Sequence, residues 1–157
     1  MKNIKRILFV CLGNTARSPV AEHLARFYAE KFQLDLDFDS CGFFNAFSYM
    51  QPESRRYLDS KGIKHSNFKP KIINRNLLEK QDLILTMESQ HSREIIQNFK
   101  DIKNIENKTF TLKEFNGEMH DVDIIDPYYT STDNYMEVLR IIDENVEKTI
   151  KKILQEY

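Results

Sequence analysis

Ile7-Leu8-Phe9-Val10 is a short, unbroken apolar run of β-prone residues, the mark of a strand covered on both faces as in a parallel sheet. The period then changes. Val20, Leu24, Phe27, Tyr28 and Phe32 recur at near-helical spacing, Ser18 is a capping type and Pro19 suits a first turn, which predicts a helix from 18 to about 33. Residues 35–41 (DLDFDSC) alternate as a second strand, and PESRRYLDSKG reads as a short helix stopped by Gly62. An aromatic-rich link, FFNAFSYM (43–50), lies between them. DLILTM (82–87) is another buried-strand run, SQHSREIIQNF a following helix, and KTFTL (108–112) a fourth strand. Tyr135, Val138, Leu139, Ile142, Val146, Ile150 and Ile153 form one apolar stripe on a long C-terminal helix. Strands alternating with helices predict an α/β fold: an open four-stranded parallel sheet, right-handed crossovers, helices on both faces.

A length of 157 residues and 41% apolar content fit one domain spanning 1–157. The net charge is −1 and basic residues are scattered among acidic ones, so neither nucleic acid nor a membrane surface is expected as partner. Any anion site must be local. The Lys-rich VEKTIKK segment reads as the solvated face of a helix. No apolar run is long enough to span a bilayer, and MKNIKRILFV does not read as a signal peptide, so a cytoplasmic protein is expected. Cys11 and Cys41 are too few for a disulfide framework or a CxxC zinc site. His23, His65, His91 and His120 lack ligand-like spacing and read as surface or packing residues.

Cys11 ends the first strand, where ligands bind in open α/β sheets. The segment CLGNTARS then runs into a helix start, so backbone N–H groups from Leu12, Gly13, Asn14, Thr15 and Ala16 can converge on an anion with the positive helix end behind them. Gly13 and Asn14 tolerate the backbone angles such a nest needs. Arg17 adds a planar fork matched to two phosphate oxygens, and the same positive surroundings favour a thiolate on Cys11. Ser18 is placed to donate a hydrogen bond to that sulfur. Nucleophile, oxyanion cradle and charge clamp lie together, which points to thiol-based phosphate chemistry.

VCLGNTARSPVAE near the start and DPYY at 126–129, with the strand and helix order between them, resemble the low-molecular-weight protein tyrosine phosphatase family. The resemblance implies Cys11 as nucleophile, Arg17 as phosphate clamp, Asn14 and Ser18 as loop-ordering and thiolate-stabilising residues, and Asp126 as general acid. It also implies phosphorylated protein substrates, with inorganic phosphate as product, and no metal or organic cofactor. Asp126 makes sense on its chemistry too: a phenolate with a pKa of about 10 leaves more easily when protonated. Pro127 stiffens the turn presenting Asp126, and Phe44, Phe47, Tyr49, Tyr128 and Tyr129 are candidate aromatic walls for a flat substrate.

Two positions depart from the family pattern. Ala16 stands where many members carry a second cysteine, so the disulfide between neighbouring thiols cannot form; the arsenate-reductase branch needs downstream cysteines, and none follows Cys41. Thr15 stands where tyrosine phosphatases carry an aliphatic residue and resembles the branch acting on phosphoarginine. The aromatic walls favour phosphotyrosine, with a protein arginine phosphatase as one alternative and a non-catalytic phosphate-binding module as another. Cys41 reads as buried filler at a strand end that could lie near Cys11.

Overall fold

The computed structural model describes residues 3–157. Its elements run β1 (Arg6–Val10), α1 (Ser18–Lys31), β2 (Asp37–Cys41), α2 (Pro52–Ser60), α3 (Arg75–Glu79), β3 (Leu83–Thr86), α4 (Ser89–Asn98), α5 (Ile105–Lys108), β4 (Thr109–Thr111), α6 (Leu112–Phe115) and α7 (Thr132–Glu156). Every strand and long helix expected from the hydrophobic pattern is present within a few residues. Helices α3, α5 and α6 were not foreseen, because four or five residues are too few to show a helical period. They are held by local chemistry instead: Asn74 Oδ1 accepts from Leu77 N, and Thr111 and Glu114 form a reciprocal capping box. Gly62, at φ 71°, ends α2 as expected, its N–H donating to Asp59 O and that of Ile63 to Leu58 O.

The four strands form one sheet, order β2-β1-β3-β4, with all three pairings parallel. Alternation along β1 divides the core. Ile7 and Phe9 pack with Leu24 of α1, Leu58 of α2, Phe115 of α6 and Leu139 of α7. Leu8 and Val10 pack on the other face with Leu78 of α3, Ile95 of α4 and Ile105 of α5. Helices therefore cover both faces, which is why the strands carry apolar runs rather than alternating polarity. From β1 the chain crosses to β2 on one side, and later to β3 on the other. That reversal leaves a crevice at the carboxyl ends of β1 and β3.

A buried carboxylate ties three helices on the α1/α7 face. Asp143 of α7 accepts from Tyr28 Oη of α1 and, at 2.5 Å, from Tyr57 Oη of α2, while Lys61 Nζ lies 3.0 Å away. Burial and the adjacent carboxylate push both phenols up, keeping them neutral donors. Replacing Asp143 with alanine orphans both hydroxyls. The expected loss is roughly 1–3 kcal/mol of unfolding free energy. Urea denaturation measures it, and an unchanged midpoint would rule out this clip as a stabilising element.

Candidate active site

Cys11 follows β1 directly, its N–H donating to Cys41 O at 3.2 Å and so extending the ladder by one rung. The side chain is 2% exposed, and its Sγ lies 2.9 Å from Ser18 Oγ. Asn14 Nδ2 donates to the same Ser18 oxygen at 2.9 Å, which leaves the serine hydrogen free to point at sulfur. A sulfur at this position is thereby offered a hydroxyl donor. Ser18 consequently does not cap α1 as its type predicted; the cap position falls on Arg17, without a side-chain cap bond.

Asn14 holds the loop's curvature. It sits at φ 54°, a left-handed conformation that asparagine tolerates. Its Nδ2 also reaches Ser40 Oγ at 2.9 Å, and its Oδ1 accepts from Lys71 N at 3.0 Å. Ser40 in turn donates to Glu22 Oε1 at 2.5 Å, and Glu22 Oε2 pairs with Arg26. Gly13 is needed for a different reason than expected. It has no positive φ; a Cβ there would stand 2.7 Å from Ala46 Cβ. Gly42 is tighter still, because a Cβ would meet Asn14 N at 2.7 Å and Leu12 O at 2.8 Å. Those are backbone atoms and cannot step aside singly. Gly42→Ala should therefore displace the loop and lower kcat/KM about tenfold or more, the scale expected when reacting groups shift by an ångström. Steady-state kinetics beside a thermal melt would test it, and wild-type kinetics in a folded variant would refute it.

The guanidinium of Arg17 is anchored on one side only. Nη1 donates to Glu88 Oε2 and to Ile124 O, both at 2.6 Å, whereas Nε is buried without a partner. Nη2 lies 3.9 Å from Asp126 Oδ2. Ile124 is itself fixed, its N–H donating to Met87 O at 2.7 Å just beyond β3. The segment bearing Asp126 is thus stitched to Arg17 and to the sheet. Asp126 Oδ1 accepts from Tyr128 N at 3.0 Å, orienting the carboxylate. Glu88 also faces His91, whose Nε2 is 3.6 Å away; burial pushes that imidazole below its ordinary value.

A cavity of about 320 Å³ opens over the loop, lined by Cys11, Leu12, Gly13, Thr15, Ala16 and Arg17 together with Phe44, Asn45, Ala46, Phe47, Gln51, Asp126 and Tyr128. Of the expected loop residues, Asn14 and Ser18 do not line it. Both are fully buried and act from behind. Of the expected walls, Phe44, Phe47 and Tyr128 line it, but Tyr49 and Tyr129 do not. Tyr49 turns toward Arg55, and Tyr129, at φ 67° and 92% exposed, packs on the outside of Tyr128 at 4.1 Å. A larger hollow of about 920 Å³ between α1 and residues 62–71 is lined by no cysteine, and its Glu22–Arg26 and Asp39–Lys71 pairs already satisfy each other.

Cys41 is adjacent but turned away. It pairs in register with Val10, so its side chain shares Val10's face of the sheet while Cys11 belongs to the opposite core. Burial pushes its thiol up, with nearby Cys11 adding to the effect. Sequence reasoning missed Glu88, Ser40, Gly42 and Gln51. Only Glu88 left a trace, as an acidic residue just past the carboxyl end of a buried strand.

A sheltered thiol, a half-anchored arginine and a loop of backbone amides at the carboxyl end of a parallel sheet define a phosphomonoester hydrolase of the cysteine-dependent class. The chain belongs to the family described as low molecular weight phosphotyrosine protein phosphatase, which matches residues 6–157. It is 33% identical to a protein-arginine-phosphatase of Bacillus subtilis, over 94% of this chain and 95% of that one. It is 32% identical to the low molecular weight protein-tyrosine-phosphatase PtpB of Staphylococcus haemolyticus, over 83% and 86%. The crystal structure of the low molecular weight protein tyrosine phosphatase from T. tengcongensis superposes with a TM-score of 0.85 at 30% identity, covering 94% of this chain and 99% of that one.

Proposed function

We propose that this chain removes phosphate from phosphorylated protein side chains, phosphotyrosine foremost, through a phosphocysteine on Cys11. Arg17 carries the reading. A guanidinium 1% exposed, held by Glu88 on one edge and left with an unpartnered Nε in a residue lining the cavity, lacks only an anion. A phosphoryl group supplies the missing acceptor and takes the loop amides at the same time. The Cys11 thiolate attacks phosphorus, Asp126 protonates the departing phenolate, and water then releases inorganic phosphate. Phe44, Phe47 and Tyr128 fit the faces of an aryl ring. The activity belongs to one domain spanning the chain and to the cytoplasm, a reduced setting that fits free Cys11 and Cys41. No helix among the described residues is long and apolar enough to cross a membrane.

A second reading, phosphoarginine, is favoured by two observations. Thr15 lines the cavity with a hydroxyl that has no partner there, and the Bacillus relative is named for arginine. Turnover of p-nitrophenyl phosphate in the presence of EDTA tests the hydrolase; phosphate binding without turnover would instead indicate a binding module. Paired kinetics on phosphotyrosyl and phosphoarginyl peptides test the substrate. Higher kcat/KM for phosphotyrosine, preserved in Thr15→Ile, is the expected result. A wild-type preference for phosphoarginine that Thr15→Ile inverts would make the threonine the determinant.

A further inference from the structure

We propose that Gln51 is a catalytic residue of the second half-reaction, its side-chain amide holding the water that attacks the phosphocysteine; this rests on the Cys11 and Asp126 roles proposed above. Gln51 lines the same cavity as Cys11, Thr15, Arg17 and Asp126. It is 8% exposed, and its Nε2 is fully buried without a hydrogen-bond partner. Local structure does not account for the amide. Gln51 occupies the cap position of α2, yet its side chain makes no cap bond; only its backbone is engaged, N–H donating to Thr15 O at 2.8 Å. The residue is thereby tethered to the phosphate loop while its side chain keeps an unmet hydrogen-bonding capacity inside the site.

The chemistry calls for such a group. A water whose lone pair points at phosphorus must place both of its hydrogens on acceptors. Arg17 and the loop amides only donate. The Asp126 carboxylate accepts one hydrogen and takes it as a proton. The second acceptor works best if uncharged, because another anion would repel the phosphoryl oxygens. A glutamine amide meets this condition: Oε1 accepts from the water, and rotating the terminal torsion brings that end to face the cavity. In the step itself the water oxygen forms a bond to phosphorus and the S–P bond breaks. Its electron pair returns to Cys11 as thiolate, one water proton moves to Asp126, and inorganic phosphate leaves. Formation of the phosphocysteine involves no such water, so Gln51 acts on breakdown alone.

Gln51→Met, of similar volume, and Gln51→Asn, which keeps a shortened amide, test this. Rapid mixing with p-nitrophenyl phosphate separates the nitrophenolate burst from steady turnover, and acid quenching with radiolabelled substrate counts phosphoenzyme. Gln51→Met should keep the burst rate within about twofold, lose about tenfold or more in turnover and accumulate phosphoenzyme, on the scale of one mispositioned reacting group. Gln51→Asn should recover part of the loss. Methanol has a single hydroxyl hydrogen, which Asp126 alone can take, so added methanol should accelerate Gln51→Met proportionately more than wild type. Burst and turnover falling together, neither falling, or methanol partitioning equal to wild type would each overturn the proposal. Absence of any acid-trapped phosphoenzyme in the wild type would overturn this proposal and the phosphocysteine reading together.

Discussion

Cys11→Ser should bring hydrolysis to the limit of detection while leaving the anion site intact. An alkoxide is far harder to form than a thiolate at neutral pH, and the group facing it, Ser18 Oγ, is a hydrogen-bond partner rather than a base. Losing a covalent nucleophile commonly costs on the order of a million-fold. Binding should survive, because Arg17, its Glu88 and Ile124 anchors and the loop amides are untouched. Phosphate or sulfate should still raise the melting temperature of the variant with a concentration dependence close to wild type. Activity near wild type in Cys11→Ser would remove the nucleophile assignment outright; lost activity together with lost anion binding would make Cys11 a structural residue of the loop.

Asp126→Asn should be the next most damaging change, and its signature is selectivity among leaving groups. The carboxylate stands beside Arg17 over the cavity, oriented by the Tyr128 N–H. Asparagine can keep that hydrogen bond and the shape of the turn, but it has no proton to give. General-acid assistance is worth roughly 100- to 10,000-fold, most for a basic phenolate. Phenyl phosphate should therefore slow far more than p-nitrophenyl phosphate, whose nitrophenolate departs without a proton. Equal losses for both substrates would mean that Asp126 orders the loop and does no acid chemistry.

What could be read from the chain alone depended on distance along it. Cys11, proposed as nucleophile, is contiguous with the loop and Arg17, so residue types and a strand-to-helix junction were enough to group them as a candidate site. Long strands and helices declared themselves by period, and the division of β1 into Ile7/Phe9 and Leu8/Val10 faces follows from alternation. Glu88 lies 71 residues beyond Arg17, and Ile124 lies 107 beyond it; only the β1–β3 pairing and the turns after β3 bring them to the guanidinium. Gly42 matters because a backbone passes within 3 Å of where its Cβ would be, a fact with no sequence pattern. Residue type also misled in small ways. Ser18 has the chemistry of a cap, but the sulfur competes for its hydroxyl, and Tyr129 is as aromatic as Tyr128 yet a left-handed backbone turns it outward.

The placement of the two thiols on opposite faces sets how this protein meets peroxide. Cys11, once oxidised to a sulfenic acid, has Ala16 beside its arginine and finds Cys41 just one strand away, facing the wrong layer of the sheet. A disulfide needs Cβ atoms directed at each other, and a strand cannot turn over inside a packed core to provide that. The oxidised sulfur therefore has no thiol partner within its own fold. A small thiol diffusing in from outside can cap it reversibly, whereas further oxidation leads to the sulfinic acid, from which there is no simple return. Recovery of the protein after oxidative stress should then follow the surrounding thiol pool rather than a second cysteine of the chain.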